Sequence, residues 1–284
     1  MVERRFTRWL IDLKYYKTKI GVKKWQPRYL ICTYRCQKCD TVFTHPNLPI
    51  ITSTRFGYGL MAWCVYHNIV GKQSMLGVHR GLQDIFNLNV GTANMYRFRS
   101  TLAKFYLGLN DEILAAILKM AVVHIDETPV KLRKTTGYVW VVSSSTEVCY
   151  IFRDTREGSF VHDLLGAYEG VLVSDFFTAY DSLDCQQQKT FLHYDGVPWN
   201  NNNAEHAVHH FAKLRQLTDG MFTRESLQQL LVLLTVIQTC EYRKVNPLRF
   251  LLSGERQLRG ISDLGYSQGE GPIATESTPA ESHI

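Results

Sequence analysis

The chain has 284 residues, 45% apolar and 20% charged, the balance of an ordinary globular protein with length for one large domain or two modest ones. Its apolar run Leu230 to Ile237 falls far short of the ~20 residues that span a bilayer, so it reads as a buried helix and a membrane role is excluded. The formal charge of +6 is mild; its distribution says more than its size.

Residues 1 to 35 carry ten Lys and Arg against Glu3 and Asp12, interleaved with Trp9, Tyr15, Tyr16, Trp25 and Tyr29. Basic and aromatic residues mixed in this way form a nucleic-acid footprint; the bland alternative is a basic strand-rich surface with no partner. The stretches RWLIDLKYY, PRYLICTYRC and TVFTH read as short strands. Cys36-Gln-Lys-Cys39 has the two-residue gap that lets two thiolates reach one zinc. A zinc ribbon needs a second such pair, which the neighbourhood lacks, and His45 supplies one ligand at most. Zinc at Cys36 and Cys39 is therefore the weaker expectation. Seven scattered cysteines without a secretory leader point to a reducing cytoplasmic or nucleoid-associated setting and no disulfide framework.

From about Thr54 to Lys119 the periodicity is helical. FGYGLMAWCVYHNIV is one predicted helix, Ser74 to Phe86 a second, and Thr92 to Leu107 a third, with Asp111 to Met120 continuing as helix. Two helices joined by a short turn, the second carrying Arg97, Arg99 and Lys104, match a helix-turn-helix whose second helix enters the major groove.

AVVHIDETPV follows, with β-branched Val122, Val123 and Ile125 ahead of Pro129. It reads as a buried strand ending near Asp126. Gly137 to Val142 and Val148 to Phe152 read as a hairpin, Gly158 to Leu165 as a helix, Gly170 to Asp175 as a fourth strand, and Phe176 to Leu183 as a further helix. This βββαβα order puts Asp126 and Asp175 at strand ends. Pro198 then interrupts the chain, and the asparagines 200–203 cap a helix on which Ala204, Ala207, Val208, Phe211, Ala212 and Leu214 recur as a buried face. Glu205 stands in its first turn, where the helix dipole favours a carboxylate. Residues 221 to 252 read as closing amphipathic helices, and from Arg259 the chain turns polar and rich in Gly, Ser and Pro, as a disordered tail does.

Three carboxylates at the open end of a sheet make an oxygen-rich anionic pocket of the kind that Mg²⁺ and Mn²⁺ prefer. Two such ions assist in-line attack at a phosphodiester. Spacing alone leaves this reading open, because 26 acidic residues give many chance pairs. Glu205, His206, His209 and His210 also suggest a zinc hydrolase, although EHAVHH is neither HExxH nor its inverse.

HIDETPV, the GYVWVV hairpin, VLVSDFFTAYDSL and VPWNNNNAEHAVHHFAK together resemble the catalytic domain of insertion-sequence-66 family transposases, over about residues 5 to 252. The asparagine block followed by Ala-Glu-His is the most specific part. The resemblance implies a DDE enzyme of α/β class, with a ribonuclease-H-like mixed sheet flanked by helices. Ahead of that sheet it implies a small strand-rich zinc-ribbon remnant and a helical helix-turn-helix-like domain. It casts Asp126, Asp175 and Glu205 as the triad holding Mg²⁺ or Mn²⁺, and sets Lys213 and Arg215 towards DNA phosphates. The expected partner is double-stranded DNA, at element ends and target, with a homo-oligomer on DNA left open and a bacterial or archaeal source.

The chain also departs from that family. Only the 29 residues 176–204 separate Asp175 from Glu205, where relatives carry a long insertion. His209 and His210 stand where a basic residue and a proline are expected. The expected divisions are 1–50 for the ribbon-like remnant, 51–120 for the helical DNA-binding region, 121–254 for the catalytic domain and 255–284 for the tail. The expected function is metal-dependent DNA cleavage and strand transfer; the alternative is an internally deleted, catalytically inactive remnant that only binds DNA.

Overall fold

The computed structural model of the chain describes residues 2–15, 21–44, 54–157, 159–174, 202–217 and 222–263. The N-terminal segment is strand-rich, as its alternating residues predict. Strand β1 (Val2–Trp9) pairs antiparallel with β4 (Arg28–Arg35), which pairs in turn with β5 (Val42–Phe43). Strands β2 (Asp12–Tyr15) and β3 (Val22–Trp25) form a separate ribbon. The predicted single stretch RWLIDLKYY is therefore broken: Leu10 donates its N–H to Pro27, and Ile11 bridges to Phe56.

Three helices follow. Helix α1 (Tyr58–Ile69) buries Leu60 to Val65 almost continuously, and α2 (Met75–Phe86) is capped by the Ser74 hydroxyl, which accepts from Gly77 N–H at 3.1 Å. Asn87, in the left-handed region at φ 49°, turns the chain out of α2. Helix α3 (Thr92–Ile117) is one continuous helix of 26 residues. It joins the predicted Thr92–Leu107 and Asp111–Met120 pieces, because Leu109, Ile113 and Ile117 carry on the buried stripe begun at Met95 and Leu102.

The central sheet has the order β8-β7-β6-β9. Strand β6 (Val122–Lys131) pairs antiparallel with β7 (Thr136–Ser143), and β7 with β8 (Val148–Arg153). Helix α4 (Ser159–Leu165) leads to β9 (Val171–Val173), which pairs parallel with β6. The sequence predicts that β6 ends near Asp126; instead it runs on to Lys131, with Pro129 opposite Tyr138. The proline is tolerated because β9 flanks only Val122 to His124, so no sheet partner among the described residues asks for its missing N–H.

Helix α5 (Asn202–Gln216) packs on β6 and β7, while α6 (Arg224–Tyr242) packs along α3 and β8. Helices α7 (Pro247–Ser253) and α8 (Leu258–Asp263) close the chain. Residues 258–263 thus correct the predicted tail at its near end, because Ile261 is fully buried and supplies the apolar anchor that a disordered segment lacks. One buried core runs through Leu13, Phe98, Trp140, Phe211, Leu234 and Phe250, so the helical region and the central sheet share an interior. No described helix is long and apolar enough to cross a membrane.

Candidate active site

Asp126 stands in the middle of β6, opposite Val141 on β7. It is half-buried, and its Oδ1 accepts the Glu127 N–H at 2.8 Å, which fixes the rotamer of the carboxylate. The neighbouring acid has a different task. The Glu127 carboxylate is almost wholly buried and receives Arg156, Nε to Oε1 at 2.6 Å. It anchors the chain that follows β8, in a pairing that HIDET alone does not announce.

Glu205 lies in the first turn of α5, on its exposed side. The helix forms where predicted, with Ala204, Ala207, Phe211 and Leu214 buried and Val208 and Ala212 half-buried. Two further ties hold it. The buried Tyr150 hydroxyl on β8 donates to the Ala207 carbonyl at 3.0 Å, and Arg215 Nη1 donates to the Pro129 carbonyl on β6. Burial drives the Tyr150 pKa well above its ordinary value, so this hydroxyl stays a donor at any working pH. Neither tie has a local signal in the sequence, since each joins residues far apart in the chain.

Asp175 lies outside the described residues, as do the predicted helix Phe176 to Leu183, Asn200 and Asn201, His45 and the tail from 264. Among the described residues, no three His, Cys, Asp or Glu side chains gather as a metal-holding group. That bears on the zinc-hydrolase alternative, whose four residues are all described. The rings of His206 and His210 do approach, with centroids 4.7 Å apart. Burial, then the positive fields of His206, Lys72, Lys213 and His209, push the His210 pKa down to about 4.

The residues expected at DNA divide into two groups. Arg97 and Lys104 are exposed and two turns apart, on one side of α3, and Lys213 is exposed on α5. Arg215 is turned at least partly onto Pro129. Arg99 corrects the expectation: it is 4% exposed, its guanidinium lies 5.2 Å from the Tyr96 ring centroid, and its Nε has no hydrogen-bond partner among the described residues. Position 99 falls four residues after Met95 and three before Leu102, on the buried stripe, so the periodicity contained the signal. Burial lowers its pKa. Cys36 and Cys39 flank the turn between β4 and β5, closed by Cys36 N–H to Thr41 O at 2.9 Å. Contact with the Thr41 hydroxyl, then the Thr41 backbone and Cys36, lowers the Cys39 thiol to about 7.

The architecture is that of an α/β protein with acidic residues carried on a central strand and on a helix packed against it. Residues 53–190 match the family described as Transposase IS66 family. Over that span the chain is similar to the IS66 transposases, and transposition is the function that this similarity implies. No curated protein matches the chain.

Proposed function

We propose that the chain is a DDE-type DNA transferase of ribonuclease-H-like fold, cutting a phosphodiester at an insertion-element end and joining the freed 3′-hydroxyl to target DNA. One observation carries this reading. Strands β6 and β9 run parallel with His124 beside Val173, and two positions further along the sequence from each of these residues stands an aspartate, Asp126 and Asp175. The βββαβ order and the packing of the Glu205 helix on β6 agree with it.

Asp126, Asp175 and Glu205 offer only carboxylate oxygens, a donor set that fits Mg²⁺ or Mn²⁺ better than zinc. Bound there, such ions would activate the attacking oxygen and offset charge on the leaving one. Glu127 N–H orients Asp126, and Tyr150 and Arg215 hold the helix of Glu205. Arg97, Lys104 and Lys213 contribute phosphate contacts that position the duplex without reading its sequence. In the first step water attacks phosphorus and a 3′-hydroxyl leaves; in the second that hydroxyl attacks a target phosphodiester and a target 3′-oxygen leaves with the proton.

The test is cleavage of duplex oligonucleotides carrying the element ends, in Mg²⁺ or Mn²⁺. Wild type cuts, and Asp126→Asn loses cutting by at least a hundredfold while still binding the ends. The 29-residue interval 176–204 favours the second reading, a remnant that only binds DNA. Equal end binding by wild type and Asp126→Asn, with no cutting by either, would establish that reading and end the first.

A further inference from the structure

The outer face of the β1-β4-β5 sheet reverses the usual arrangement of a half-buried sheet. Cross-strand partners share a face, so the register sorts the side chains. Phe6, Arg8, Tyr29 and Ile31 face the body of the protein: Ile31 is buried, and Arg8 Nη2 donates to Thr54 O at 2.9 Å. The opposite face should then be polar. It carries Trp9 at 61% exposure, Leu30 at 66%, Tyr34 at 39% and Phe43 at 53%. Trp9 sits opposite Arg28, whose guanidinium lies 5.8 Å from the indole, and Tyr34 sits opposite Phe43, their rings stacked at 5.6 Å and 20°. Arg5 shares this face.

A cluster of exposed rings on one face marks an interaction surface, and charge identifies the occupant. The acids of the described residues 2–44 are Glu3, Asp12 and Asp40. Glu3 and Asp40 both pair with Arg35, and Asp12 is buried. Arg4, Arg5, Arg28, Lys23, Lys24 and Lys38 outweigh them. A second copy of the chain would bring like charge onto like charge, whereas a polyanion is attracted. A duplex hides the faces of its bases in the stack, so flat exposed rings gain little from it; unpaired bases stack on such rings regardless of sequence. Tyr34 lies six steps along β4 from Arg28, roughly 20 Å at the rise of an antiparallel strand, room for several nucleotides.

We infer that the outer face of the β1-β4-β5 sheet binds single-stranded DNA, with unpaired bases stacked on Trp9 and on the Tyr34–Phe43 pair and phosphates held by Arg5 and Arg28. This deepens the proposed function, on which it rests, by adding an unpaired strand to the duplex as a ligand of the same protein.

The experiment measures anisotropy of a labelled 20-nucleotide oligo(dT), and of a duplex of equal length, with the full chain. Trp9→Ala and Phe43→Ala each weaken oligo(dT) binding about tenfold or more, as loss of one stacked base does, and change duplex binding by less than about threefold. Trp9→Phe keeps near wild-type affinity, which shows that the ring and not folding is at stake. Asp126→Asn binds oligo(dT) like wild type. The inference falls if the two alanine variants hold oligo(dT) as tightly as wild type, if duplex binding drops equally, or if they only convert a dimer to a monomer in sedimentation. Should those variants leave oligo(dT) binding intact while Mn²⁺-dependent cleavage is present and lost in Asp126→Asn, the sheet assignment fails and the transferase stands. Should oligo(dT) binding fall in those variants while no cleavage is seen, the sheet assignment stands and the transferase fails.

Discussion

Asp12 on β2 caps a helix that begins more than forty residues later: its Oδ1 accepts the Leu60 N–H of α1 at 2.6 Å and the Leu13 N–H at 2.8 Å. The N-cap position of α1 is Gly57, which has no side chain to offer. A cap borrowed from another element satisfies the same orphan N–H groups that a local Ser or Asp would. Asp12→Ala leaves two buried donors bare and should lower stability by about 2–4 kcal/mol, read as a shift in the urea midpoint.

The same carboxyl titrates in an unusual range. Burial raises its pKa to about 6, against the opposing pull of the Leu13, Leu60 and Gly59 N–H groups. The folded state therefore holds a proton that the unfolded state releases near pH 4. Between about pH 4 and 6 unfolding releases that proton, so the contribution of Asp12 to stability is largest below pH 4 and declines as pH rises to 6. Urea melts of wild type and Asp12→Asn should diverge across that interval and run parallel above it.

Gly57 is coupled to the same carboxylate. A Cβ at position 57 would collide with the Asp12 carboxylate. Gly57→Ala should destabilise the wild type by more than 1 kcal/mol and cost much less in an Asp12→Ala background, a double-mutant cycle with a clear sign.

The outer edge of β8 is closed by side chains. Thr239 Oγ1 accepts Val148 N–H at 3.3 Å and donates to Val148 O at 3.2 Å, and Thr235 Oγ1 accepts Tyr150 N–H at 3.1 Å. Both threonines are fully buried on α6, one turn apart, and they do for an edge strand what a neighbouring strand would. Thr235→Val and Thr239→Val should each cost about 1–3 kcal/mol. Hydrogen exchange at Val148 and Tyr150 should accelerate in the matching variant and not in the other.

Glu147, fully buried in the β7-β8 turn, receives Ser144 Oγ, Thr146 Oγ1 and the Arg243 guanidinium. Burial alone would raise its pKa; hydrogen bonds from Ser144, Arg243 and Thr146 outweigh that and hold it below the usual carboxylate range. Its stabilising effect is therefore complete above the ordinary glutamate range and fades as pH falls through the lower folded value. Arg243→Ala strands the carboxylate and should cost about 3–5 kcal/mol, measured by thermal melting at neutral pH.

Arg97, Arg99 and Lys104 should separate in DNA titrations. Arg97→Ala and Lys104→Ala each reduce the salt slope of duplex binding by about one and weaken it regardless of sequence. Arg99→Met, which removes a buried guanidinium that has no carboxylate partner among the described residues, should leave duplex affinity unchanged.

Much of this architecture was legible in advance, where local pattern and packing agree. The β6 to β8 strands, α2, and the α5 face formed by Ala207, Phe211 and Leu214 follow from periodicity and turn signals. Arg99 shows a signal present but overridden: charge suggested an outward residue, while its spacing from Met95 and Leu102 placed it inward. Asp12, Tyr150 and Thr239 show what no window of sequence contains, because each partner lies at least 48 positions away. At the candidate site, it was readable that Asp126 belongs to a strand and Glu205 to the first turn of a helix. That β6 continues five residues beyond Asp126 was not, since Pro129 is a stop signal except where one side of the strand is unpaired.

The double fastening of α5, by Tyr150 at Ala207 and by Arg215 at Pro129, has a consequence for how the candidate site is assembled. The sheet itself, through β8 and β6, holds the helix that carries Glu205. Length changes between 176 and 201 therefore leave untouched the two bonds that seat that glutamate's helix on the sheet.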